Sequence, residues 1–131
     1  MCVRGARWVQ RSILEANPDA DLRVYAVFME IVAGDEGART AVDPRTLLDD
    51  PRVTLYWDER QLTGRWFEQH VTKLGRDGDN RLEWDSWFLY DRSARWTDEK
   101  PPQVSWGRPI IEQKDRLEQD LNAVLKRSPR E

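Results

Sequence analysis

From Gly5 to Ala16 the apolar positions Ala6, Val9, Ile13 and Ala16 recur at three-to-four spacing, with Trp8 alongside, which predicts an amphipathic helix. Asn17-Pro18-Asp19 ends it, because the residue before a proline is driven out of the helical region. Leu22 to Ile31 follows as a run rich in Val, Tyr and Phe, and its nearly continuous apolar character predicts a strand covered on both faces. Arg39 to Asp49 reads as a short helix starting at Asp43-Pro44, where a first-turn proline sacrifices no hydrogen bond, and Asp50-Pro51 closes it. Val53 to Trp57 predicts a second strand with Asp58 at its carboxyl end.

Gln61 to Leu74 predicts another helix, with Leu62, Trp66, Phe67 and Val71 as its apolar face. Gly75 to Asn80 is a polar loop. Trp84 to Tyr90 and Ala94 to Thr97 predict a hairpin turning at Asp91-Arg92-Ser93. Lys100 to Pro109 reads as a proline-containing loop. Ile111 to Lys126 predicts a closing amphipathic helix through Leu117, Leu121, Val124 and Leu125, and residues 128–131 form a polar tail. The order α, β, α, β, α, β, β, α predicts one α/β domain over residues 1–127, with the first two strands parallel neighbours joined through a helix.

Composition sharpens this in a few places. A chain of 131 residues is long enough to bury roughly two-thirds of its unfolded surface around one core. Charged residues make up 34% of it, yet the net charge is only −3, so it lacks the signature of a disordered chain. Arg39, Arg45, Arg52, Arg60 and Arg65 are scattered among acidic residues, which argues against a nucleic-acid groove. The longest apolar stretch, Val24 to Ala33 broken by Glu30, falls short of the ~20 residues needed to span a bilayer. No signal peptide opens the chain, so the expected location is cytoplasmic. The single cysteine cannot form an internal disulfide.

The order of elements, with Cys2 just before the first helix, resembles the thioredoxin-like superfamily, most nearly its thiol–disulfide oxidoreductase and peroxiredoxin-like branches. Four stretches carry the likeness across nearly the whole chain: Cys2-Val-Arg-Gly-Ala, the strand Val24 to Ile31, Val53-Thr-Leu-Tyr-Trp-Asp58, and Trp84-Asp-Ser-Trp-Phe-Leu-Tyr-Asp91 turning to Trp96. The resemblance implies a thioredoxin-like sheet with flanking helices. It also implies a redox pair of cysteines at a helix amino terminus, where the dipole and free N–H groups stabilise a thiolate. One cysteine is present. If Cys2 is the first of the pair, Gly5 occupies the partner position; if it is the second, the resolving cysteine, its partner precedes Met1. The second register is favoured, because it leaves a helix of family-like length before Leu22. The family's cis-proline before the first hairpin strand has no counterpart in Arg81-Leu-Glu-Trp84-Asp85, and Pro101 and Pro102 come too late to match it. The family's first central strand is also missing ahead of Cys2. That leaves the expected hairpin separated from the parallel pair and predicts unpaired edges, hence a homodimer through a strand edge or an upstream start.

Two functions follow as expectations. The first is thiol–disulfide exchange with Cys2 as the catalytic, resolving thiol and a protein thiol or disulfide as partner. The second is a non-catalytic thioredoxin-like binding module, using a tryptophan-bearing face or the Lys100–Pro109 loop. No cofactor, metal, nucleic acid or membrane is expected. His70 is the only histidine and has no nucleophile placed near it by sequence, so an exposed or structural role is favoured. Asp77-Gly-Asp79-Asn80-Arg81-Leu-Glu83 fails as a calcium loop, since Arg81 takes a ligand position, no glycine holds the sixth place, and Phe88 replaces the closing glutamate. Asp35, Asp58 and Asp85 fall at predicted strand ends, where ligands bind in α/β folds but where capping also favours aspartate. Trp57, Trp84, Trp87, Trp96 and Trp106 cluster around the predicted strands, as core or as an exposed patch.

Overall fold

The computed structural model describes residues 3–29, 43–73, 83–97 and 99–127. Cys2, Asp35, the 75–80 loop with most of the calcium-like pattern, and the 128–131 tail lie outside the described residues. So do the end of the predicted first strand and the start of the helix predicted from Arg39.

The first helix, α1, runs over Val3–Trp8 and continues as a π-helix over Val9–Glu15. Ala6, Val9 and Ile13 are buried as their spacing predicts, but Leu14 is fully buried and Ala16 is exposed. The wider i→i+5 winding brings Val9 and Leu14 onto one face, which three-to-four counting does not capture. Strand β1 spans Val24–Met29 and β2 spans Val53–Asp58. They pair in parallel, Val24 beside Val53 through Met29 beside Asp58, as expected. Between them α2, Pro44–Leu47, starts where the sequence predicts: the Asp43 carboxylate accepts from Arg45 N at 2.9 Å and Pro44 fills the first turn.

Burial in β1 corrects one expectation. Ala26 and Phe28 point into the core, whereas Tyr25 on the opposite face is 64% exposed. Among the described residues the strand is covered on one face, not two. The core joins Ala6, Val9, Ile13 and Leu14 of α1 to Ala26 and Phe28, to Leu47 and Leu48, and to Ile110 and Leu121 further on.

Helix α3, Leu62–Phe67, continues as a π-helix over Glu68–Thr72. Strand β3, Trp87–Leu89, pairs antiparallel with β4, Ser105–Gly107, placing Trp87 opposite Gly107, Phe88 opposite Trp106 and Leu89 opposite Ser105. The predicted hairpin therefore needs correcting. Ala94–Thr97 forms no strand, and the partner of β3 comes from the stretch read as a proline-containing loop. The Trp87 ring packs on Gly107, where a Cβ would collide with three atoms of the indole's six-membered ring, so that pairing depends on a residue with no side chain. Trp96 instead turns its ring toward Trp66, Phe67 and Tyr90, with centroids 5.6, 6.3 and 5.9 Å away. The last helix, α4, covers Lys114–Leu125 and buries Leu117, Leu121 and Val124. Arg116 of α4 sits over the Trp87 ring, 5.6 Å from its centroid.

The result is a mixed α/β arrangement with one small parallel and one small antiparallel sheet, and no described strand joins them. No helix among the described residues is long and apolar enough to cross a membrane.

Candidate functional site

The polar chemistry of the molecule converges on the short loop 83–86, which enters β3. Glu83 N donates to Gly64 O of α3 at 3.0 Å, so the loop is tied to that helix through its backbone. The Glu83 side chain is 2% exposed and fully engaged. Thr72 Oγ1 donates to its Oε1 at 2.7 Å, Ser86 Oγ donates to its Oε2 at 2.7 Å, and Arg108 Nη1 lies 3.7 Å from Oε2. A buried carboxylate is tolerated only with such partners.

Two residues on, Asp85 is placed differently. Its φ is 52°, a left-handed conformation that aspartate accepts more readily than most residues. Its Oδ1 is buried without a hydrogen-bond partner, and burial raises its pKa against the opposing pull of the Ile110 backbone N–H. The carboxylate lies against the first turn of α1: a Cβ on Gly5 would come within 3.2 Å of Asp85 Oδ1 and 3.1 Å of Ile110 Cβ. Glycine at position 5 is what lets this loop and Ile110 approach the helix closely. The Arg108–Pro109 bond just before Ile110 is cis.

Asp58 takes the capping role. It accepts from Leu62 N at 3.0 Å and Thr63 N at 2.6 Å at the start of α3. Partial burial opposes its ionisation, but these N–H groups together hold its carboxyl below the usual range. His70 is exposed, with its ring 4.8 Å from that of Trp66. Among the described residues no group of three or more His, Cys, Asp or Glu is placed to hold a metal ion.

The tryptophans divide. Trp87 is buried and Trp106 half-buried, while Trp57 is 60% and Trp96 is 54% exposed, with Trp84 also exposed. Trp57 lies in β2 and Trp96 in the loop after β3, and the ring contacts join Trp96 to Trp66 and Phe67 of α3 and to Tyr90 just past β3. The proposed contact loop Lys100–Pro109 contains β4. Its first part, with Pro101, Pro102 and Val104, faces Asp91 and Arg95 across an open groove of about 390 Å³.

Of the residues singled out by sequence, the structure brings Asp85 to the head of α1 and assigns Asp58 to capping. Glu83 was named only as the end of the rejected calcium pattern, yet it is buried, and Thr72, Ser86 and Arg108 were missed. The only local signal was Ser86 three residues after Glu83, because the other two partners come from distant parts of the chain. No protein-family model, curated protein or solved structure matches the chain.

Proposed function

We propose that this chain carries out thiol–disulfide exchange in a thioredoxin-like setting, with Cys2 as its reacting thiol and Asp85 as the group that takes up the thiol proton. One observation carries the reading: a buried carboxylate oxygen with no partner lies against the first turn of α1, whose first residue, Val3, follows Cys2 in the sequence. A carboxyl whose pKa is raised by burial is a better proton acceptor than an exposed one. A thiol preceding a helix also gains from the free N–H groups of the first turn. With one cysteine in 131 residues, a full catalytic cycle needs a second thiol from outside this sequence. In that cycle Cys2 is the resolving thiol: its thiolate attacks a mixed disulfide, the new S–S bond joins it to the first cysteine, and the substrate leaves as a thiolate.

Glutathione disulfide tests the half-reaction that one cysteine can perform. The Cys2 thiolate attacks one sulfur, a mixed disulfide forms, and one glutathione thiolate is released. The expected pH profile has its midpoint below the ~8.5 of an ordinary cysteine, and Asp85→Asn slows the reaction at pH 7 by about 10²-fold. A midpoint at or above ~8.5 that is indifferent to Asp85→Asn overturns the proposal. The chain alone should not turn over insulin disulfides, since one cysteine cannot both attack and resolve. Turnover that Cys2→Ser abolishes would contradict this.

A second reading, the non-catalytic binding module, draws on the exposure of Trp96 beside Trp66 and Tyr90. It takes the place of the first if Cys2 behaves as an ordinary thiol. Self-association through an edge of β1 or β2 belongs to either reading, because among the described residues each pairs only with the other. Sedimentation that stays monomeric at high protein concentration removes it.

A further inference from the structure

We draw no further inference here: the strongest candidate, the exposed aromatic patch where Trp96 meets Trp66 and Tyr90 beside the groove between residues 91–95 and 101–104, is an unpartnered apolar face, and nothing in the structure shows what covers it.

Discussion

Arg52 and the 83–86 loop are two polar junctions among the described residues, and they are built to opposite effect. At Arg52 every group is matched. Its Nη1 donates to Asn17 O at 2.7 Å and Ala20 O at 3.0 Å, its Nη2 to Leu14 O at 2.9 Å, and its Nε to Asp50 Oδ1 at 2.9 Å. The guanidinium thus adds a second donor to Leu14 O at the end of the first helix and to Asn17 O and Ala20 O in the turn that follows, each of which also accepts a backbone N–H, and it locks that turn to the entry of β2. Asp50, held by Arg52, has its pKa lowered from 3.8 to about 2. In the 83–86 loop, Glu83 is matched in the same way, but Asp85 keeps a buried oxygen with no partner. A fully matched junction serves the fold. A carboxylate left unmatched beside a helix start costs stability, and that makes it the first place to look for chemistry.

Removing the anchor of the second junction should have the largest effect. Glu83→Ala takes the carboxylate away from the Thr72 hydroxyl and the Arg108 guanidinium and leaves Ser86 Oγ with Trp84 O alone, and it should destabilise the chain by about 3 kcal/mol. The urea midpoint measures this, and a loss well under 1 kcal/mol would mean that Glu83 does not hold the loop. Arg52→Met comes next. It keeps much of the stem but removes the guanidinium bonds to three carbonyls and to Asp50, which retain only their backbone N–H donors, at an expected cost of about 2 kcal/mol in the same assay. If it costs nothing, the first helix is held near β2 by apolar packing and by the paired hydrogen bonds between the Gln10 side chain and the Asp49 backbone.

Asp85→Asn should move stability the other way. The folded state binds the Asp85 proton more tightly than the unfolded one, so this residue's contribution falls as pH rises above the ordinary 3.8. Asparagine removes the half-buried charge and tolerates the same positive φ, so the melting temperature at pH 7 should rise. Below pH 3.8 the gain should vanish. A destabilised Asp85→Asn variant at pH 7 would show that the carboxylate is better matched than its geometry indicates.

The smallest effect concerns Asp50, whose shift has the opposite sign. Its contribution is complete above the unfolded value of 3.8 and is lost as pH falls toward about 2. Acid titration of melting temperature should therefore be shallower between pH 4 and 2 in Asp50→Asn than in the parent chain. Equal slopes would remove Asp50 from the acid response.

How much of this was legible in the sequence depended on the distance over which each feature is decided. The start of α2 at Asp43-Pro44 could be read because capping involves residues two or three apart. The parallel pairing of β1 with β2 was legible because two β-rich runs separated by a short helix leave few alternatives. The partner of β3 was not legible. Ala94–Thr97 and Ser105–Gly107 are similarly short and aromatic, and the choice turned on Gly107 admitting the Trp87 ring. The candidate site divides in the same way. Asp85 could be named from its place near a strand, but its unmatched oxygen depends on Gly5 and Ile110, which approach from opposite ends of the chain.

By itself the sequence determined where α2 and β2 begin, through a proline, an aspartate cap and a β-rich run, all of which act within a turn or two of the backbone. The tertiary structure alone decided which tryptophan is core and which is surface, since every indole has the same preference for burial and only the packing ranks them. It also decided the state of each carboxylate. Glu83 is matched on both oxygens and Asp85 leaves Oδ1 unmatched because hydrogen bonds act over about 3 Å, and only the folded chain determines which donors come that close.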